Sequence, residues 1–227
     1  MRIKVYQIDD SLDSHNAGFR NYESTMQVAG RINPSIYKTV YDGSVDAENL
    51  EAVYLLCNTD HPVGYNGHSM SVSDVVELEN GKCYFCDSFG FKEIEDFNSS
   101  EVAPIVGCRM LVIEPKKEPY EMVIPDKLEA LQQAVRGYIE VTYPFDDNAF
   151  VVGNEEAKLI GLEGNRRIGE SIYAGNIIIA GDDGQGGTTD LTDEQIDKYT
   201  NMFRNPEDIS PEEVQNDVWF DVIGFDD

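Results

Sequence analysis

Residues 72–88 read Val72-Ser73-Asp74-Val75-Val76-Glu77-Leu78, then Glu79-Asn80-Gly81, then Lys82-Cys83-Tyr84-Phe85-Cys86-Asp87-Ser88. Two runs rich in β-branched and aromatic residues flank Asn80-Gly81, the dipeptide that most readily supplies two positive φ angles. The stretch predicts strands over Val72–Leu78 and Lys82–Ser88 joined by a type I′ turn. A tight hairpin can only be antiparallel, so the sheet it belongs to is mostly antiparallel.

Working toward the N-terminus, Ile3 and Val5, with Gln7 and Ile8, read as an opening strand. Phe19, Tyr22 and Met26 stand at i, i+3 and i+7 on one helical face, with Gly30 as its stop. Asn33-Pro34 turns the chain into a strand over Ile36–Tyr41. Asp46 is positioned to cap a helix whose apolar stripe is Leu50, Val53, Tyr54 and Cys57. A loop with Pro62, Gly64 and Gly67 spans His61–His68.

Toward the C-terminus, Asn98-Ser99-Ser100-Glu101 through Pro104 is a polar seam. Beyond it, Met110–Ile113 and Tyr120–Ile124 form a second hairpin. Asp126 with Glu129 suits a capping box, for a helix with Leu128, Leu131 and Val135 on one face and Gly137 at its end. Ile139–Tyr143, Phe150–Val152 and Ile177–Ala180 read as strands, with a glycine-rich acidic loop at Gly181–Gly187. Thr192 with Gln195 caps a helix carrying Ile196, Tyr199 and Phe203, and Ser210-Pro211 with Glu213 starts another. The expected class is α+β: two small mixed domains, each a short, mostly antiparallel sheet with one or two packed helices. Their expected bounds are 1–103 and 104–205, with an acidic helix and tail at 206–227.

The chain has 227 residues, 17 Lys and Arg against 43 Asp and Glu, a net charge of −26, and 41% hydrophobic residues. That apolar share supports a real core. The charge argues against direct binding to nucleic acid or to anionic membrane, both of which need basic surfaces. It also points to a protein partner with a basic surface. No apolar run approaches the roughly 18 residues of a membrane span, and no signal peptide is legible. Four cysteines are sparse for a disulfide framework. A reduced, cytoplasmic setting is expected.

His61, His68, Ser71, Ser73 and Asp74 are the most chemically loaded residues. One histidine could serve as base toward Ser69, Ser71 or Ser73 with Asp74 orienting it, as in a small hydrolase or transferase. Three serines alternating with Met70 and Val72 also read as a half-exposed strand. Cys83 and Cys86 have zinc-knuckle spacing, yet on a strand they face opposite sides, so buried thiols and no metal are expected. Residues 182–190 lack the ligand pattern of a calcium loop and the Gly-Lys-Ser/Thr ending of a phosphate loop, so no cofactor is expected. Asn154, Glu155 and Glu156 with Asn165 and Arg166 are candidates for a polar ligand, or for a plain ion pair across a loop. Trp219 and Phe220 are candidate docking anchors in the acidic tail.

The stretch His61-Pro-Val-Gly-Tyr-Asn-Gly-His68-Ser-Met-Ser-Val-Ser-Asp74 carries a resemblance, together with Val5-Tyr6-Gln7-Ile8, Val40-Tyr41-Asp42-Gly43 and Cys86-Asp87-Ser88-Phe89-Gly90-Phe91. Residues 1–97 resemble a YodL-like domain. Met110–Pro115, Leu131–Val135, Gly137–Glu140, Asn154–Glu156 and Asn165-Arg166 are similar to the domain-of-unknown-function family numbered 3846. The resemblance implies no activity and no catalytic residue. It implies a setting, among accessory proteins of conjugative elements and phages, and with it a non-enzymatic protein that binds a macromolecule, an acidic DNA mimic or counter-defence protein being one form.

Overall fold

The computed structural model describes residues 1–217. It forms two compact units, Met1–Gly107 and a second opening at Cys108. Trp219 and Phe220 lie outside the described residues.

The first unit is built in the order β1 (Arg2–Ile8), α1 (Tyr22–Ala29), β2 (Tyr37–Ser44), α2 (Leu50–Thr59), β3 (Val75–Leu78), β4 (Cys83–Cys86) and β5 (Phe91–Ile94). Its five strands lie in the order β2-β1-β3-β4-β5, and all the pairings are antiparallel. Tyr6, Ile8, Val75, Cys83, Phe85 and Ile94 send their side chains into one core with Ala17, Ile32, Tyr37, Phe97 and Val102, and Tyr22 and Met26 of α1 close it. Burial of Val75 or Phe85 stabilises by about 1.5–3 kcal/mol each.

Local chemistry sets the element ends. Asn21 Oδ1 accepts the Ser24 N–H at 2.9 Å and begins α1, which places Phe19 before the helix, not on its face. Gly30, at φ +75°, ends α1 as expected. Asn49, not Asp46, caps α2 by accepting the Ala52 N–H at 2.8 Å. Within the stripe of α2, Val53 and Cys57 are buried and Tyr54 is exposed.

The β3–β4 hairpin forms, but its turn is not type I′. Gly81 has φ +79°, whereas Asn80 keeps a negative φ. Gly81 N–H bonds the Leu78 carbonyl at 2.8 Å and Leu78 N–H bonds the Lys82 carbonyl at 2.9 Å. The loop is therefore Glu79–Gly81, a tight turn followed by a glycine bulge. Strand β3 also starts later than expected: Ser71–Asp74 is a turn, with Ser73 at φ +83°, so the alternating serines do not line a strand. The polar seam belongs to the first unit, because Ala103 exchanges backbone hydrogen bonds with Tyr37 and Thr39.

The second unit contains β6 (Cys108–Ile113), β7 (Tyr120–Ile124), α3 (Leu128–Val135), β8 (Ile139–Thr142), β9 (Ala149–Asn154), β10 (Gly164–Ile168), β11 (Ser171–Ala174), β12 (Ile177–Asp182), β13 (Thr188–Thr189), α4 (Asp193–Phe203) and α5 (Pro211–Asn216). Its main sheet runs β7-β6-β12-β9-β8, with β13 on β12, and β10 and β11 form a separate hairpin. The central strand β12 has its apolar run Ile177–Ala180 buried throughout. Ile196, Tyr199 and Phe203 of α4 pack with Leu111, Ile113, Val151, Ile177 and Ile179, as their spacing predicts.

Helix α3 departs from expectation. Lys127 stands at its N-cap without a side-chain bond, so the Asp126–Glu129 capping box does not form. Leu128 is exposed, and Arg136, at φ +60°, takes the left-handed position expected of glycine. Residues 206–217 are not a separate appendage. Ile209 and Val214 pack with Ala157, Ile172 and Ala174 around α5 and β11.

Candidate functional site

In the first unit, strand alternation turns Gln7 away from the core that holds Tyr6 and Ile8, toward the His61–Asp74 loop. Gln7 is only 1% exposed. Its Oε1 accepts the His68 N–H at 3.1 Å, and its Nε2 faces the His68 carbonyl at 2.9 Å, Asp74 Oδ2 at 3.0 Å and the Tyr65 hydroxyl at 3.2 Å. Gly67 makes room for this contact: a Cβ there would stand 2.3 Å from Gln7 Oε1.

Asp74 is 1% exposed, and its Oδ2 also accepts the Ser71 N–H at 2.8 Å. Burial pushes its carboxyl up to about 7, against the opposing pull of Ser71 N–H, the Gln7 amide and nearby His68. Cys57 and Cys86, both close enough to feel Asp74, are pushed up to about 12, chiefly by burial. They are neutral thiols, not nucleophiles.

The hydrolytic arrangement does not assemble. His68 Nδ1 meets the Ser69 backbone carbonyl at 2.7 Å, not a serine hydroxyl. Ser73 Oγ accepts the Phe19 N–H at 2.9 Å, and the Ser73 carbonyl accepts the Tyr37 hydroxyl at 2.9 Å. His61 stacks on Tyr65 with ring centroids 4.7 Å apart, and its Nε2 is buried with no hydrogen-bond partner. Among the described residues no three His, Cys, Asp or Glu side chains are grouped to hold a metal ion. Cys83 sits in the core with Phe85, and Cys86 faces the other side of β4.

Beside this network stands an exposed aromatic pair. Phe19 is 64% exposed, with its ring 5.3 Å from that of His68. Its φ is +60°, costly for a bulky residue, and its N–H is tied to Ser73, itself at φ +83°. Nothing in the periodicity of residues 19–26 distinguishes this Phe19 from a helix-face residue. Gln7 was equally hard to single out, because a polar residue in a strand normally marks the solvent face.

In the second unit, a cleft of about 270 Å³ is lined by Glu140, Asn154, Glu155, Lys158, Tyr173 and Asp217, among others. Lys158 Nζ and Asp217 Oδ2 pair at 2.7 Å, and the same Oδ2 accepts the Ile172 N–H at 2.7 Å. Partial burial raises the Glu140 carboxyl, with Lys158 opposing and Glu155 reinforcing the shift.

Asn154 and Glu155 thus reach one cleft, but Arg166 does not join them. It is 1% exposed and donates to backbone carbonyls: Phe203 at 3.0 and 3.2 Å, Lys117 at 2.7 Å and Asn165 at 2.9 Å. Asn165 in turn donates to the Ile113 and Gly175 carbonyls. Asn154 Nδ2 serves the end of α3, bonding the Val135 and Arg136 carbonyls, and its Oδ1 accepts the N–H of exposed Glu156. The expected ion pair of Glu155 or Glu156 with Arg166 is replaced by carbonyl pairing. It is Arg167 that makes ion pairs, with Glu207 and Glu213.

Residues 2–97 match the family model of the YodL-like domain, and residues 108–204 match that of the domain of unknown function DUF3846. The chain is a YodL-like domain followed by a DUF3846 domain. No curated protein and no solved structure matches it significantly. The YodL-like domain contains the whole Gln7–His68–Asp74 network and Phe19. The DUF3846 domain contains every cleft residue named above except Asp217, which α5 brings in from beyond the matched segment.

Proposed function

We propose that this chain is a non-enzymatic binding protein that engages a protein partner with a basic surface. The observation that carries the reading is Phe19, an apolar ring held in water over His68 on backbone that costs about 1–3 kcal/mol to maintain. An exposed aromatic held in this way suits an interface anchor. The segment leading to it carries Asp9, Asp10 and Asp13, and the whole chain carries a charge of −26. Those carboxylates would steer a cationic partner toward the anchor. Direct contact with nucleic acid is disfavoured by the same charge. The family resemblance supports a cytoplasmic setting and an accessory role in a mobile element, where mimicry of DNA by carboxylates is one form this binding can take.

The test is capture of a basic protein from host extract by the immobilised chain. Recovery should fall at least about tenfold between low and high salt, as expected for steering by exposed charge. Phe19→Ala should abolish it. Salt-independent capture, or capture undiminished by Phe19→Ala, would sink the reading.

A further inference from the structure

Asp74 is a carboxyl group sealed under a loop, with two neutral N–H donors, Ser71 and Gln7, on its Oδ2. Among the described residues no lysine or arginine pairs with it. The titratable groups facing it are His68 and Tyr65 from the loop, Cys57 from α2, Cys86 from β4 and Tyr37 from β2, the last also facing Asp13. Of these only His68 favours the charged carboxylate; the thiols and phenols are themselves held neutral by burial. The loop is anchored at Ser73, which bonds Cys86, Tyr37 and Phe19. Above Asp74 it is closed by His68 N–H to Gln7 Oε1, Asn66 N–H to the Val40 carbonyl at 2.8 Å, Ser71 N–H to Asp74 itself, and the His68 and Met70 carbonyls, which accept from Gln7 and Tyr65 and from Asn58.

We propose that the His61–Asp74 loop is a proton-linked lock. With a proton on Asp74 the loop stays closed over Gln7. When that proton leaves for water, a locally opened loop that hydrates the carboxylate gains weight against the closed one. Burying an ionised carboxylate with so few partners costs free energy that only access to water relieves, and local opening is the smallest movement that provides it. Opening also parts His68 from Phe19, so the exposed aromatic pair belongs to the closed loop alone. The inference does not depend on the binding reading, and it is tested on the chain without a partner.

The experiment follows the labelled chain by NMR from about pH 5 to pH 9. The Asp74 carboxyl carbon should titrate with its midpoint near 7. Exchange of the Ser71 and His68 amides, corrected for the intrinsic rate, should report an opening equilibrium that rises about tenfold per pH unit below the midpoint and levels off above it. Amides of the β1–β3 ladder should not follow. Asp74→Asn, whose amide oxygen can still accept both N–H bonds, should make loop exchange independent of pH. His68→Ala should move the midpoint upward, because it removes an interaction that favours the carboxylate. If Asp74→Asn does not fold, the wild-type titration and His68→Ala decide. A midpoint in the ordinary range near 4, or the same pH course of loop exchange in wild type and Asp74→Asn, would overturn the proposal.

Discussion

Gln7 pairs with His68 as a neighbouring strand would: its side-chain oxygen accepts the His68 N–H at 3.1 Å while its side-chain nitrogen donates to the His68 carbonyl at 2.9 Å. One buried amide on β1 thereby closes both backbone groups of a residue in a loop with no sheet partner of its own. The contact, across 61 residues of sequence, holds the loop over Asp74.

Gln7→Leu removes this pairing at nearly constant volume. It leaves the His68 N–H without its acceptor and Asp74 with one donor fewer, which should cost about 2–4 kcal/mol. Urea unfolding followed through the β1 amides measures the loss. The same change removes a bond that favours the carboxylate, so Asp74 should titrate higher than in the wild type.

Gly67→Ala tests the packing beneath the same contact. The added methyl would sit 2.3 Å from Gln7 Oε1 and 3.0 Å from Val40 Cβ, so Gln7 has to shift. The expected destabilisation is about 1–3 kcal/mol, with the His68 amide resonance displaced. An unmoved resonance would show that the close approach is not needed.

Arg166→Lys probes a cation that is satisfied by carbonyl groups. The guanidinium reaches the end of α4 at Phe203, the β6–β7 turn at Lys117, and Asn165 beside it. An ammonium on a shorter stem cannot span that set, and a buried charge short of partners should cost about 3–5 kcal/mol. Calorimetry of the full chain should show the DUF3846 transition lowered and the YodL-like transition unmoved.

Asp147→Asn addresses acid stability. Burial pushes Asp147 up, but hydrogen bonds from Lys198 and Tyr199 outweigh it, leaving the carboxyl below its ordinary 3.8. A carboxyl lowered by folding adds stability that is complete above the unfolded value and lost as pH falls through the folded one. The variant should therefore cost about 0.5–1.5 kcal/mol near neutrality and nothing once the pH is well below 3. Stability measured from pH 7 downward should show the two proteins converging.

How much of this was legible beforehand varies with the range of the interaction. The Thr192–Gln195 and Ser210–Glu213 capping boxes form as read, because both partners sit within one turn. Ile196, Tyr199 and Phe203 are buried as their spacing requires. Asp126–Glu129 has the same pattern and fails, since α3 begins only at Leu128 and its far end is fastened by Asn154 and Asn176, residues from other elements. Arg166 looked like a partner for Glu155 or Glu156 because opposite charges attract, but a buried guanidinium with enough carbonyls around it needs no carboxylate.

Spacing and local hydrogen-bond chemistry were enough to determine the antiparallel hairpins, most of the helices and the α+β class, because a strand's alternation and a helix's turn are properties of adjacent residues. Tertiary structure alone decided that Gln7 faces inward, that Phe19 stands exposed on His68, and that Asp74 is sealed from water. The physical reason is that desolvation and amide pairing depend on which groups meet in space, and here the groups that meet lie 49 (Phe19 and His68) to 67 (Gln7 and Asp74) residues apart in the chain.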